Sequence, residues 1–163
     1  MAIREVVKAP AKVLSSKTRE VEVIDENIIA LLDDLYDTMV EHDGVGIAAP
    51  QVNVDLRVAI VELGEDILEM INPVVLETRG EAEDIEGCLS FPDLFGLVKR
   101  PTYVKIEAAD REGQIYELEA EDFEARCILH EIDHLDGVLF DAKMTRVLTQ
   151  EELDELYADV EEE

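Results

Sequence analysis

The stretch His130-Glu131-Ile132-Asp133-His134 is an H-E-x-x-H run inside a longer segment of helical periodicity, and it organises the rest of the sequence. Two histidines four residues apart lie one above the other on a helix, so both imidazoles can reach one ion. At about 100° per residue, one arc of roughly 100° holds the polar side chains Cys127, His130, Glu131 and His134. The neighbouring arc is apolar and holds Ala125, Ile128, Ile132 and Leu135. The pattern predicts a helix from about residue 122 to residue 136, with Gly137 as its stop, buried on one side and lining a site on the other.

The H-E-x-x-H motif typically supplies two metal ligands and a carboxylate that handles the proton of metal-bound water. The alternative is a solvated helix face that carries two histidines by coincidence. Only three histidines occur in the chain, and two of them stand at this spacing, which favours a metal site.

A catalytic ion needs a third protein ligand and one open position. Carboxylates are abundant, but Cys88 stands out because it follows Gly87 in an irregular segment between an acidic loop and Phe91-Pro92. The other explanation for Cys88 is burial as a small core residue.

The composition indicates a folded and strongly acidic protein. Its 163 residues suffice for one domain with a core, and a hydrophobic fraction of 47% argues against disorder. Asp and Glu total 41 against 14 Lys and Arg, a net charge of −27 that disfavours binding to nucleic acid. Solubility explains this acidity, and adaptation to high salt is the alternative.

The cellular location expected from the sequence is cytoplasmic. No run of eighteen apolar residues occurs, and the start Met1-Ala2-Ile3-Arg4 lacks the apolar core of a signal peptide. Cys88 and Cys127 are the only cysteines. A reducing compartment argues against a disulfide between them and leaves metal ligation or burial as explanations.

The remaining periodicities predict an early helix, a short last helix and several strands. Asp25 is expected to cap a helix that runs to about Val40, and Thr149 with Glu152 has capping-box spacing for a last helix to about Val160. Strands are expected at residues 21–24, 58–61, 71–76, 97–98, 104–108 and 116–118. No repeat or linker divides the chain. We therefore predict one α+β domain over residues 1–163, with mixed antiparallel strands around a central metal-binding helix.

Three stretches, in this order, resemble the motifs of the peptide deformylases. Gly44–Gln51 matches G-x-G-x-A-A-x-Q, Glu86–Ser90 matches E-G-C-L-S, and His130–Gly137 matches H-E-x-D-H-L-x-G. The similarity extends over nearly the whole chain. It implies a metal-dependent hydrolase that removes the N-formyl group from the initiator methionine of new bacterial or organellar proteins and releases formate.

The resemblance also implies catalytic roles by position. The metal ligands would be Cys88, His130 and His134. Glu131 would be the general acid/base, while the amide of Gln51 and the backbone N–H of Leu89 would stabilise the oxyanion. A Cys/His/His set accepts Fe²⁺, Zn²⁺, Ni²⁺ or Co²⁺, and the resemblance implies Fe²⁺ as the native metal.

Substrate binding would follow the family's β-addition mode, in which the peptide backbone pairs with the protein. The residues expected to pair with it are Gly44, Val45, Gly46 and Gly87. Val45 and Cys127 would line the pocket for the methionine side chain, and a buried pair between Glu86 and Arg100 would brace the cysteine loop.

The expected partners are N-formylmethionyl peptides of nascent chains, bound by a monomer that contacts neither nucleic acid nor membrane. Two features depart from the family. Leu129 stands where glutamine is usual, so we expect altered contacts around the ligands rather than lost ligation. No basic residue follows Arg146, which argues against ribosome docking through a basic C-terminal helix.

Two other classes of protein stay open at this point. A zinc endopeptidase also uses H-E-x-x-H, but its third ligand normally lies downstream, and no histidine follows His134. A catalytically silent module that binds formyl peptides or metal would have no need of the Glu131 carboxylate.

Overall fold

The computed structural model describes residues 2–8, 11–138, 143–152 and 154–155, with the side chains of residues 92 and 93 outside the description. Helix α1 (Glu26–Glu41) begins where the sequence predicts it, because Asp25 accepts hydrogen bonds from the N–H groups of Asn27 and Ile28. Helix α2 (Asp122–Leu135) is the predicted H-E-x-x-H helix, and Gly137 follows it with a φ of 75°.

Antiparallel strands form two sheets. The five-stranded sheet has the order β1-β2-β3-β6-β7 and consists of β1 (Gly46–Ala48), β2 (Val58–Leu63), β3 (Asp66–Arg79), β6 (Tyr103–Ala109) and β7 (Ile115–Glu121). The three-stranded sheet has the order β4-β5-β8 and consists of β4 (Ala82–Cys88), β5 (Phe91–Arg100) and β8 (Met144–Val147). Short 3-10 turns cover Lys12–Ser15 and Ala49–Val52.

The β1–β2 side of the five-stranded sheet lies between the two helices and is buried on both faces. Along β2, Val58 and Ile60 join the core cluster of α1, whereas Ala59 and Val61 join the core cluster of α2. This alternation follows from the two-residue period of a strand. The predicted α+β class, with antiparallel strands around the metal-site helix, is confirmed.

Several segments differ from the prediction: β1 and β8 were not predicted, and β3 and β5 are longer than the strands expected at residues 71–76 and 97–98. Residues 21–24 form no strand, because the side chain of Asn72 takes both backbone bonds of Val21, at 2.8 and 2.9 Å. The acidic segment before Cys88, predicted as a loop, is strand β4, because its backbone pairs along β5 from Ala82 to Cys88.

The last predicted helix starts as expected, since the N–H of Glu152 donates to Thr149 Oγ1 at 3.1 Å. Its predicted end near Val160 lies outside the described residues. Among the helices that the structure describes, none is long and apolar enough to cross a membrane.

Candidate metal centre

Cys88 lies at the end of β4, where the chain turns into β5. Gly87 still pairs with Phe95, but the register shifts between Gly87 and Cys88. A Cβ on Gly87 would lie 2.6 Å from Cε1 of Phe95, so a larger residue at this position would displace the Phe95 ring. An irregularity of this kind re-aims a side chain, and the Sγ of Cys88 lies 3.2 Å from Nε2 of His134.

Helix α2 brings the two histidines of the motif to this thiol. His130 and His134 are 8% and 1% exposed, and their ring centroids are 5.0 Å apart. The ligand atoms of His130, His134 and Cys88 all lie within 4.8 Å of one another. The predicted helix is confirmed, and its polar arc is itself buried, with Glu86 of β4 in contact with His130.

These three residues fit a divalent transition metal. Nδ1 of His130 lies 2.8 Å from Oε1 of Glu86, which leaves Nε2 for an ion in the manner usual for ligating histidines. Burial, and then the neighbouring His130, lowers the pKa of His134 well below its ordinary value, so this imidazole is neutral and its lone pair is available. One thiol and two imidazoles form a donor set that suits Fe²⁺ or Zn²⁺.

The hydrogen-bonding neighbours of His130 raise its pKa. Burial lowers the pKa of His130, but hydrogen bonds with Cys88 and Glu86 outweigh that effect and raise the pKa to about 10. Because a histidine binds metal in its neutral form, a raised pKa at His130 would make metal affinity depend on pH.

Glu131 lies beside the three ligands without joining them. Its Oε1 is buried and has no hydrogen-bond partner among the described residues. Its other oxygen lies against β1, where a Cβ on Gly46 would be 2.7 Å from Oε2. Burial raises the pKa of Glu131 to about 7, against the lowering effect of His130 and Arg100. A carboxyl group with a pKa near 7 can both accept and donate a proton at neutral pH.

A buried carboxylate, Glu86 of β4, contacts both helix α2 and strand β5. The predicted pair with Arg100 is present, with Nε at 2.5 Å from Oε2 and Nη2 at 2.9 Å from Oε1. Arg126 adds a third guanidinium contact, from Nη1 to Oε2 at 2.6 Å. Burial alone would raise the pKa of Glu86, but hydrogen bonds from His130 and Arg100 lower it to about 2, so this carboxylate stays ionised.

The two predicted oxyanion donors lie next to Cys88, Gln51 in space and Leu89 in the chain. Gln51 is 1% exposed, and its Oε1 accepts the N–H of Ala48 at 3.0 Å. This bond orients the amide so that Nε2 donates to Cys88 Sγ at 3.6 Å and to Ser90 Oγ at 3.4 Å. The N–H of Leu89 donates no hydrogen bond within the described part of the chain.

The predicted substrate-binding residues lie mostly at two sheet edges. Strand β1 and strand β4 are each the edge strand of their sheet, and they carry Gly46 and Gly87. A Cβ on Gly44 would lie 3.3 Å from Cδ1 of Leu89, so the segment before β1 approaches the turn after β4. Val45 is 44% exposed.

Cys127 differs from the other substrate-binding candidates. It is buried in the apolar core of α2 and lies outside the group of three metal ligands. Burial, and then the carboxylates of Glu131 and Glu86, raises the pKa of its thiol to about 12, so the thiol stays protonated. Leu129, which stands in place of the family's glutamine, is buried in the same core.

The comparison with known proteins agrees with this geometry. The family model for polypeptide deformylase matches residues 3–150. Peptide deformylase 1 of Bacillus subtilis is 50% identical over 155 residues, which are 94% of this chain and 97% of that protein. The chain belongs to the peptide deformylase family. It is therefore a metal-dependent hydrolase that removes the N-formyl group from nascent chains, rather than an endopeptidase or a silent module.

Solved deformylase structures share the fold. The crystal structure of peptide deformylase from Thermotoga maritima gives a TM-score of 0.87 at 33% identity and covers 89% of this chain and 99% of that one. A class I type b deformylase from Acinetobacter baumannii, solved with Met-Ala-Ser bound, gives 0.83 at 34% identity and covers 88% of this chain and 99% of that one.

Sequence reasoning missed three polar residues of this deformylase centre: Arg126, Asp133 and Ser90. Asp133 accepts Nη1 of Arg100 at 2.7 Å, and Ser90 is fully buried beside the amide of Gln51. A signal for Arg126 was present, since it lies four residues before His130 and so on the same helical stripe.

Proposed function

We propose that this deformylase cleaves the formamide bond with the help of one divalent ion held by Cys88, His130 and His134. The supporting observation is the closeness of the three donor atoms, within 4.8 Å of one another, beside the unpartnered Oε1 of Glu131. When bound, such an ion acts as a Lewis acid and lowers the pKa of a coordinated water toward ~7.

Glu131 is the proton carrier in this proposal. It accepts a proton from the attacking water and delivers it to the departing amine as the carbon–nitrogen bond breaks, so that formate and a free α-amino group result. Its pKa of about 7 and its unpartnered oxygen suit this exchange.

Gln51 and Leu89 stabilise the negative charge that develops on the formyl oxygen. Nε2 of Gln51 and the N–H of Leu89, both next to Cys88, supply the donors. The bond from Ala48 to the Gln51 amide oxygen holds the NH₂ group in its orientation before the substrate arrives. A pre-oriented donor of this kind is typically worth about 3–4 kcal/mol in the transition state.

The peptide is bound as an added strand between the edges of β1 and β4. Gly44, Val45, Gly46 and Gly87 provide the backbone positions for pairing, which reads the chain rather than its side chains. Val45 and Cys127 contribute to the wall of the methionine pocket. Backbone recognition of this kind suits an enzyme whose substrates share only their first residue.

The native metal in this proposal is Fe²⁺, and Zn²⁺, Ni²⁺ and Co²⁺ are alternatives that the same donors accept. We also propose that the enzyme works in the cytoplasm, on nascent chains, as a monomer with one catalytic domain over residues 1–163. Direct contact with nucleic acid or docking on the ribosome through the acidic C-terminal segment is not part of the proposal, because a net charge of −27 repels RNA.

The proposal is tested by metal analysis and formate release, with formyl-Met-Ala-Ser as substrate, on protein purified without oxygen. The wild type should hold one ion per chain, and the metal found identifies the native cofactor. Cys88→Ser should lose stoichiometric metal, because a hydroxyl is a poor soft donor. Cys127→Ser is the matched control and should keep its metal while changing mainly KM. Full occupancy in the Cys88 variant would contradict the ligand assignment.

A further inference from the structure

The proposed metal ligands come from two parts of the fold. Helix α2, which carries His130 and His134, packs on β1, β2, β6 and β7 of the five-stranded sheet. Cys88 belongs to the three-stranded sheet. Long charged side chains bridge α2 to this second sheet, so they control the separation of the thiol from the imidazoles.

Arg126 makes the most extensive of these bridges. It lies one helical turn before His130 and is 7% exposed. Its Nη1 donates to Oε2 of Glu86 at 2.6 Å and to the carbonyl of Val98 at 2.9 Å, while Nη2 donates to the carbonyl of Ala82 at 2.8 Å. Ala82 and Glu86 lie on β4, and Val98 lies on β5. One rigid guanidinium fork therefore fastens both strands of the Cys88 hairpin to the metal-site helix.

Arg126 also acts on a ligand through the shared carboxylate. Glu86 accepts Arg126 on Oε2 and contacts Nδ1 of His130 with Oε1. Arg126, His130 and His134 form one stripe of α2 at four-residue spacing, and the carboxylate bridges the first two of them. A partner that orients the second nitrogen of a ligating histidine typically changes metal affinity about 10–100-fold when it is lost.

We propose that Arg126 is a positioning residue that holds His130 and His134 at the correct distance from Cys88 and thereby slows loss of the ion. This inference rests on the ligand set given under the proposed function. Arg126 acts in the opposite direction to Arg100, which extends from β5 to Asp133 on the helix at 2.7 Å. One arginine therefore extends from the helix to the sheet and the other from the sheet to the helix, and together they hold the two in place.

The test compares Arg126→Met with Arg111→Met in Co²⁺-loaded protein. Methionine keeps an apolar stem and removes every donor. Arg111 is the control because its guanidinium also binds several acceptors, here the carboxylates of Glu69 at 2.6 Å and Asp33 at 3.0 Å, but its side chain is 39% exposed and it contacts none of the ligands among the described residues. The measurements are the sulfur-to-cobalt charge-transfer band, the rate of Co²⁺ transfer to a chelator, and the melting temperature of the metal-free proteins.

Arg126→Met should release Co²⁺ about 10–100-fold faster than wild type, with an altered charge-transfer band, while Arg111→Met should match wild type in both. Wild-type release and spectrum in Arg126→Met, with only a lower melting temperature, would show a purely structural role and overturn the inference.

Arg126→Lys keeps the positive charge but lacks the guanidinium group. This variant tests the inference if the methionine variant does not fold. It should also release Co²⁺ faster than wild type, and unchanged release would overturn the inference. A wild-type protein without a sulfur-to-cobalt band would instead overturn the ligand set itself, and this inference with it.

Discussion

The two sheets of this deformylase meet the metal-site helix in different ways. The five-stranded sheet meets α2 through an apolar core that includes Ile106 and Ile128, both fully buried. The three-stranded sheet meets it through charge-assisted hydrogen bonds centred on Glu86 and Arg126. Burial of apolar surface stabilises strongly but has no direction, whereas charge-assisted hydrogen bonds fix distance and orientation. We infer that the first sheet supplies most of the stability and the second sets the geometry of the metal centre.

The largest effect is expected for Glu86→Gln, which removes the charge at the centre of the polar attachment. Arg100 and Arg126 would then be buried without a carboxylate between them, and loss of one partner of a buried ion pair costs about 3–5 kcal/mol. The free energy of unfolding should fall by this amount in urea titrations, and metal release should accelerate about 10–100-fold. Metal release at the wild-type rate from the folded variant would show that the polar attachment does not set the geometry of the metal centre.

Ile106→Ala should lower the free energy of unfolding by about 2–5 kcal/mol, because it opens a cavity in a fully buried core. Metal content and release should stay at wild-type values, since none of the polar contacts given above for the described residues of the centre involves β6. The same urea and chelator measurements check this result. Release as fast as in Glu86→Gln would mean that the apolar sheet also sets the geometry of the site.

The smallest effect is expected for Arg111→Met. It removes an ion-pair cluster with Glu69 and Asp33 that lies at the surface, whereas the Glu86 cluster is buried. Exposed ion pairs contribute about 0–1 kcal/mol to the free energy of unfolding. The loss of this free energy in Arg111→Met should vanish in about 1 M NaCl, where charges are screened within about 3 Å. The loss in Glu86→Gln should persist in the same salt, because its partners are buried. If the loss of stability in Glu86→Gln also vanished in high salt, the Glu86 cluster would behave as a surface ion pair, and the distinction between the two clusters would be wrong.

The contrast between apolar packing and polar attachment also explains which elements the sequence could predict. Helices α1 and α2 and most of the five-stranded sheet follow from apolar periodicity and from the Asp25 cap, because those elements are held by the burial that the pattern records. Strand β4 escaped prediction because its acidic residues have low strand propensity and it is held by pairing with β5 and by two arginines. The strand predicted at residues 21–24 does not form for a related reason: the side chain of Asn72 makes the backbone hydrogen bonds of Val21.

Prediction of the metal centre divides in the same manner. Helical spacing alone brings His130 and His134 together, but no periodicity connects them to Cys88, and the resemblance to the deformylases was needed for the third ligand. The pair between Glu86 and Arg100 also came from that resemblance. The contacts of Arg126 could not be predicted, because two of its three acceptors are backbone carbonyls on strands whose position the sequence left open.

The most direct test of the proposed mechanism is Glu131→Gln, measured beside wild type for metal content, binding of formylmethionyl peptide and formate release. Glutamine keeps the size and hydrogen bonding of glutamate but cannot accept and return a proton. The variant should fold, hold one metal ion and bind the peptide, while kcat falls by at least the ~10²–10⁴ that positioned acid–base catalysis supplies. Turnover near the wild-type rate in a fully metal-loaded variant would remove Glu131 from the mechanism.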